Sequence, residues 1–404
     1  MLRVFNTLGK RLETFKPADR RSVDVFTCGP SVYQRAHIGN FRTFLFEDIL
    51  VRYLEYSGFR VKRGMNITDI EDKAFEEAKK RRMGVKELTG KNIKNFIREM
   101  RLLKMKVPDY LPRASEAVDE VVKIIKQLLA RKGAYWYQGN VYFDPLKYPR
   151  FGELYGLDVS RWPNKKRRFH KDTYPGMRWN LGDFILWHGY KEGELDWDTP
   201  IGRGRPSWNI QDACLVLKHY HGPLSIYCGG IDNLFRHHDY TRAIVESVRP
   251  YPMARFWLHC HHLMVEGEKM SKSKGNIYYV EDLLGDRYTA DEIRFFLIYG
   301  YHRKRLNYTR ENLESAAEKL RNLKRKMKMI RRKAGQKPKV DREMLKGVSD
   351  AFKREMDDDL NVEKAFDRLY DFIDGIKLET LRPDAASGLI KGLRQVDEVL
   401  RVLF

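Results

Sequence analysis

Val23-Asp-Val-Phe-Thr27, Cys28-Gly29-Pro30 and, six residues on, His37-Ile38-Gly39-Asn40 form the stretch that decides how this chain folds. The first run is short and β-prone, and Gly and Pro stop it. A loop follows. From about Phe41 to Tyr56 apolar residues recur at three- and four-residue steps, as in Phe44, Leu45, Ile49 and Tyr53, which predicts a helix ending at Ser57-Gly58. Phe59–Met65 reads as the next strand. Strand, crossover helix and strand in that order argue for a parallel α/β sheet. His37–Asn40 then sits where the helix begins. Free N–H groups and the positive dipole end favour phosphate there. Gly39 lets a ligand approach the backbone, and His37 can donate to phosphate oxygens as charge develops. Taken alone, the tetrapeptide also suits an ordinary helix cap.

Working outward, helical patterns run from about Glu71 to Lys132 with breaks near Gly84 and Pro108. Tyr135–Phe143 reads as a hairpin around Gln138-Gly139-Asn140, and Arg161–Tyr174 as a basic, irregular segment holding Lys165–Arg168. Strand signals follow at Asp183–Trp187, Leu224–Cys228 and Arg255–Val265, and helical ones at Trp208–Tyr220 and His237–Ser247. From about Thr309 the pattern is helical to Phe404. The 404 residues allow two or three domains. No apolar run approaches the ~18 residues of a membrane span, and no secretory h-region is present. Cys28, Cys214, Cys228 and Cys260 are too few for a disulfide framework. A reduced, cytoplasmic protein is expected. Lys plus Arg is 77 against 55 Asp plus Glu, a net +22, which points to a polyanionic partner, nucleic acid first. Lys319–Lys333 carries nine Lys or Arg in 15 residues, and Lys79–Arg82 is a smaller cluster. Such groups suit phosphate contacts that position a polyanion without reading its sequence. The alternative is a solvated helix face.

The loop Gly267–Asn276 contains Lys269-Met-Ser-Lys-Ser273 and continues Lys274-Gly-Asn276. Lysine is a compact point charge suited to a triphosphate passing through its transition state. Together with His37–Asn40, this loop resembles the paired ATP motifs of class I aminoacyl-tRNA synthetases. Further stretches narrow the resemblance to cysteinyl-tRNA synthetases: Phe26–Tyr33, Ala36–Asn40, Asn66–Asp69, Asp72-Lys73, Asp183–Trp187, Gly204–Pro206, Trp208, Gly229-Gly230, Asp232, Phe235, His237-His238 and, in the helical part, Glu355–Asn361. The resemblance spans essentially the whole chain in one order.

It implies an α/β class I synthetase catalytic domain over 1–305, Rossmann-like, with a helical insertion at about 70–180. An α-helical bundle over 306–404 follows, and a C-terminal anticodon-reading domain is absent. It also implies an ATP-dependent ligase that makes an aminoacyl adenylate and passes the amino acid to tRNA, with Mg²⁺ accompanying the triphosphate. His37, Asn40, Lys269 and Lys272 would be catalytic. Gly39, Gly229, Gly230, Asp232, Ser271 and Ser273 would join them in binding ATP. A monomer is favoured. Two other readings stay open: ligation of an amino acid to a small amine or modified nucleotide, as in the truncated cysteine ligase of mycothiol synthesis, and a non-catalytic RNA-binding relative.

The family selects cysteine through zinc held by two Cys, one His and one Glu, and here the chain departs from it. Cys28 and His237 are kept. Asp212 stands where the second Cys belongs, in Trp208-Asn-Ile-Gln-Asp212, and Thr241 replaces the Glu. Tyr227 replaces a family histidine before the glycines. Cys28, Asp212 and His237 remain as candidate zinc ligands. Cys214 is a poor substitute, because two residues along a helix turn it about 200° away. Asp212 could instead pair with a cationic group or a substrate hydroxyl, or be a solvated helix carboxylate. Thr68 matches a family residue near the substrate amino group, and Trp208 a pocket wall or a core residue. The amino-acid pocket is expected to comprise Cys28, Thr68, Trp208, Asp212, His237 and Thr241. The nucleotide end is intact while the amino-acid end is rewritten, which predicts an active adenylating enzyme with altered selection.

Overall fold

A computed structural model describes every residue except 18, 20, 158–182, 272–273 and 336–338. The basic cluster Lys165–Arg168, and Lys272 and Ser273 of the loop motif, therefore lie outside the described residues.

Four strands form a parallel sheet in the order Ala254–Cys260, Leu224–Gly230, Ser22–Thr27, Arg60–Met65. The last two are successive in the chain. The strand on the other side of Ser22–Thr27 comes about two hundred residues later. Strand order therefore reverses between Ser22–Thr27 and Leu224–Gly230, and ligands of such sheets bind in the crevice outside the carboxyl ends at that switch point. Cys28, Asn66 and Gly230 all stand at those ends.

The crossover helix is Ile38–Tyr56. It starts three residues earlier than the apolar periodicity suggested, because His37 caps it. His37 Nδ1 accepts from the Asn40 amide at 3.3 Å, and Asn40 Oδ1 accepts from the His37 amide at 3.0 Å. Gly58, at φ +92°, turns the chain out of the helix. Arg42, Asp48 and Glu47 are buried on this helix among its apolar residues.

Between the second and third parallel strands lie the helices Asp72–Lys80, Val85–Leu102 and Val118–Ala130, then an antiparallel sheet in the order Ala134–Tyr137, Asn140–Phe143, Phe184–Gly189, Gly204–Pro206. The hairpin turns at Gln138 and Gly139, both with positive φ. Because Phe184–Gly189 pairs with the hairpin, the inserted segment runs to Pro206 and is part strand, rather than helical and ending near residue 180. The expected strand region 255–265 divides in two. Ala254–Cys260 joins the parallel sheet, and Leu263–Val265 pairs with Leu306–Tyr308 and with Glu268–Lys269. Leu306–Tyr308 thus belongs to the sheet layer, and the helices begin at Arg310 behind the Thr309 cap.

Four helices follow: Arg310–Lys333, Arg342–Met356, Val362–Asp374 and Pro383–Leu400. They share a core with the catalytic layer, since Tyr53 and Leu54 pack in one cluster with Phe352, Val396 and Leu400. A buried ion pair fastens this junction. Arg294 Nη2 lies 2.6 Å from Asp48 Oδ2, and its other nitrogens donate to the carbonyls of Leu400 (2.8 Å) and Leu103 (2.7 Å). Arg52 adds a second contact to the same carboxylate at 2.9 Å. Neither Asp48 nor Arg294 has exposed side-chain surface. Removing one partner of such a pair leaves an uncompensated buried charge. Asp48→Ala is therefore expected to lower unfolding free energy by about 3–5 kcal/mol, read as a fall in the urea midpoint. A loss under about 1 kcal/mol, the worth of a surface pair, would refute this role.

Candidate active site

The nucleotide end is built from two segments that touch. A Cβ on Gly39 would lie 2.4 Å from Met270 Cε and 3.1 Å from the His37 ring. Glycine at 39 is what lets the helix start pack against the lysine-serine loop. That loop leaves the short strand Glu268–Lys269 and is held by Asn276, whose Oδ1 accepts from the Ser271 amide at 2.9 Å and whose Nδ2 donates to the Lys269 carbonyl at 3.3 Å. Lys274 pairs with Glu268. His37, Asn40, Lys269, Asp232 and Trp208 line one cavity of about 520 Å³.

Gly229 and Gly230 end the strand Leu224–Gly230 without lining that cavity by side chain. A Cβ on Gly229 would meet the His238 ring at 2.7 Å and Cys28 Cβ at 3.2 Å, and one on Gly230 would meet Asp232 Oδ1 at 2.5 Å. Both glycines keep the backbone low at the switch point. Burial pushes the His37 pKa down to about 4, against a weaker opposing pull from Asp232. His37 is therefore a neutral hydrogen-bonding group near neutral pH.

Of the expected amino-acid pocket residues, Trp208 lines this cavity, and Cys28, Asp212 and His237 cluster behind it. Cys28, Asp212 and His237 present ligand atoms all within 4.8 Å of one another. Asp212 has no exposed surface, which excludes a solvated helix carboxylate. Its Oδ1 accepts from Asn66 Nδ2 at 2.8 Å. Its Oδ2 accepts from the Tyr227 hydroxyl at 2.7 Å and faces His237 Nε2 at 3.0 Å. Burial pushes its pKa up, but His237 and the hydrogen bonds outweigh that and hold it below the usual range. Burial and then the Asp212 charge push the Cys28 thiol well up, so it stays protonated. Trp208 stacks on His237, centroids 4.0 Å apart and planes 7° off parallel. Thr68 is buried and accepts from Asn66 Nδ2 at 3.2 Å. Thr241 does not face the cavity. Its hydroxyl donates to the His237 carbonyl at 2.8 Å and also meets Tyr227, so it ties down the turn beside the Asp212 cluster. Cys214 points elsewhere, toward the Ala117 carbonyl at 3.3 Å.

The catalytic-domain profile of class I (C) tRNA synthetases matches residues 14–318. The chain belongs to that family. The cysteine–tRNA ligase of Chlamydia muridarum is 34% identical over 99% of this chain and 87% of its own length. That of Koribacter versatilis is 37% identical over 100% of this chain and 82% of its own. In fold, the chain is similar to methionyl-tRNA synthetase of Mycobacterium tuberculosis in complex with methionyl-adenylate (TM-score 0.65, 14% identity, 95% of this chain and 90% of that one). It is also similar to the LeuRS of Agrobacterium radiobacter K84 in a ternary complex with tRNA and LeuAMS (TM-score 0.69, 11% identity, 96% and 85%). The synthetase is thus an ATP-using ligase of the adenylate-forming class I type. Among the described residues, no helix is long and apolar enough to cross a membrane.

Cys28, Asp212 and His237 converge as a possible three-donor site for an ion, without the fourth donor of the family's zinc. Only three donors converge among the described residues, and the Thr241 hydroxyl is committed to a backbone carbonyl. The carboxylate oxygen nearest His237 already accepts two hydrogen bonds.

Several residues were not expected at the site. Asn66 and Tyr227 hold Asp212, and neither carries a local spacing that announces the contact, since Asn66 is 146 positions from its partner. His238 and His259 meet at 2.8 Å, and His259 reaches Thr7 Oγ1 at 2.8 Å. Burial pushes both pKa values down, His259 to about 3, so this relay is neutral. The His237-His238 pair was the legible hint. Arg236 lines the cavity at φ +71°, a conformation that L residues adopt only under strain. The helix expected from His237 opens as a π-helical turn at His237 and His238 and continues as Asp239–Val248.

His37 binds its proton more weakly in the fold than in the unfolded chain. Acid therefore favours unfolding, and its share of stability is present above pH 6.5 and lost as pH falls toward about 4. Between pH 7 and 5 the urea midpoint of His37→Asn is expected to fall less than that of the parent. Equal falls would show that His37 is not held neutral.

Proposed function

We propose that this synthetase activates an amino acid with ATP and transfers it to the 3′ end of a tRNA, working in the cytoplasm. The observation that carries the proposal is the single cavity at the sheet's switch point, lined at once by His37 and Asn40, by Lys269 and by Trp208. Relatives named cysteine–tRNA ligase supply the acceptor class and make cysteine the first amino acid to test.

In this reading the triphosphate lies between the helix N-terminus at Ile38 and the Lys269 loop, with the adenosine over Gly229, Gly230 and Asp232. Mg²⁺ arrives bound to the triphosphate as part of the substrate. An oxygen of the amino-acid carboxylate attacks the α-phosphorus. That P–O bond forms as the bond to the bridging oxygen breaks, and the electron pair leaves with pyrophosphate. The attacking group belongs to the substrate, so no side chain serves as a covalent nucleophile. Neutral His37 donates a hydrogen bond to phosphate oxygens, Asn40 orients them, and Lys269 offsets the charge that builds on the leaving group. Ser271, Lys272 and Ser273 complete the loop by family likeness. The acceptor hydroxyl of the tRNA then displaces AMP from the adenylate.

The cationic helix supports an RNA acceptor in part only. Lys319, Arg321, Lys324 and Lys326 are neutralised by Asp367, Glu292 and Glu314, Asp291 and Asp374. Lys328, Arg331, Arg332 and Lys333 are exposed with no acidic partner among the described residues. The RNA-facing charge is therefore concentrated in the last turns of Arg310–Lys333.

Lys269→Ala is expected to lower the rate of ATP–pyrophosphate exchange by about 10²–10³-fold, the worth of one donor to transition-state charge. The exposed position of Lys269 leaves the fold intact. An unchanged rate would refute the site. Acylation of a small amine but of no tRNA by the preformed adenylate would refute the acceptor.

A further inference from the structure

The buried cluster behind Trp208, which itself lines the cavity, carries an inference about selection, and it rests on the reading that an amino acid binds in that cavity. We propose that this synthetase selects its amino acid without a resident metal. A hydrogen-bonded hub centred on Asp212 holds the pocket floor where a zinc ion would otherwise be needed.

Three observations lead to this. First, three protein groups engage Asp212, and two of them share the oxygen that faces His237. Asn66 reaches one carboxylate oxygen, while Tyr227 and His237 converge on the other at 2.7 and 3.0 Å. A carboxylate oxygen accepting two hydrogen bonds has no lone pair left for an ion. The Tyr227 ring is fixed in this position by Phe26 (stacked, 5.6 Å) and Trp257 (4.8 Å), so the phenol cannot swing aside cheaply.

Second, the surroundings of His237 do not suit a ligand. A metal-bound imidazole almost always donates its other ring N–H to a carboxylate, carbonyl or water. Here Nε2 lies 3.0 Å from Asp212 Oδ2, and Nδ1 is buried with no hydrogen-bond partner among the described residues. Metal on Nε2 would force the proton onto Nδ1, where no acceptor waits among the described residues. Third, no fourth protein donor joins the three among the described residues. Thr241 is fully buried, and its hydroxyl is spent on the His237 carbonyl.

Asp212 is then a positioning residue. It fixes the tautomer and plane of His237, and the stacked Trp208 passes that plane to the cavity wall. The substrate side chain meets the Trp208 face and the edge of Cys28, which is 7% exposed. Such a floor receives an uncharged side chain, with cysteine taken as its neutral thiol.

The test measures metal on the protein itself, purified without a histidine tag. Elemental analysis is expected to find far less than one zinc per chain. Added Co²⁺ is expected to give no thiolate-to-cobalt absorption band, and a strong chelator is expected to leave ATP–pyrophosphate exchange unchanged. Stoichiometric zinc, or a cobalt–thiolate band, would overturn the proposal whether or not exchange is seen. Failure of every amino acid to support exchange would instead reject activation, while the metal content still decides this point. A second variant bears on the hub. Asp212→Asn is expected to raise KM for the amino acid while leaving KM for ATP unchanged. A general structural loss would move both, and would overturn the positioning role. The triple variant Y227H/D212C/T241E is expected to gain one zinc.

Discussion

A carboxylate without exposed surface must be paired, and Asp212 is paired by three separate elements at once. Asn66 follows the strand Arg60–Met65, Tyr227 lies within Leu224–Gly230, and His237 precedes the helix Asp239–Val248. Asp212 itself rides on Trp208–His219, the helix that follows the inserted segment. One buried charge therefore joins the parallel sheet, the insertion and the turn that carries His237. The parallel strand order makes the meeting possible, because it brings residues some 150 positions apart to one edge. Losing any one partner would leave the charge under-solvated, so the hub fixes the geometry of the pocket floor as a unit.

The site has two halves with different physics. At the nucleotide end the design is backbone: Gly39, Gly229 and Gly230 remove side chains where segments must touch, and a helix start faces the cavity. Charge there comes from the exposed Lys269. At the amino-acid end the design is a dry polar network, with Asp212 ionised and the Cys28 thiol held neutral. The Thr7–His259–His238 relay runs beside it, also neutral, and braces Gly229 from behind. Such networks hold a single arrangement because each member satisfies the next.

Much of this was legible in the sequence where the signal is local. Val23–Thr27 and the periodicity after Phe41 specify strand and helix by side-chain spacing, and Gln138-Gly139 marks a turn that needs positive φ. The family motifs located Cys28, His37, Asp212, His237 and Lys269, and the fold gathers them at one sheet edge. Signals failed where the cause is tertiary. Leu306–Tyr308 is three residues long and exists only because Leu263–Val265 offers it an edge. Phe184–Gly189 extends the insertion because the hairpin captures it. The helix Arg310–Lys333 read as an open cationic face, but acidic residues from two other helices neutralise its first half. Thr241 kept the helical spacing of a ligand, yet its hydroxyl found a nearer acceptor in the backbone.

Protein hydrogen bonds around Asp212 build the amino-acid end of this class I adenylation site. The most direct measurement is a crystal structure with a non-hydrolysable aminoacyl-adenylate analogue, with diffraction recorded on both sides of the zinc absorption edge. The account predicts the adenosine over Gly229 and Gly230, the phosphate mimic beside His37 and Lys269, and no anomalous peak among Cys28, Asp212 and His237. A zinc peak at that point, with Tyr227 swung away from Asp212, would contradict it.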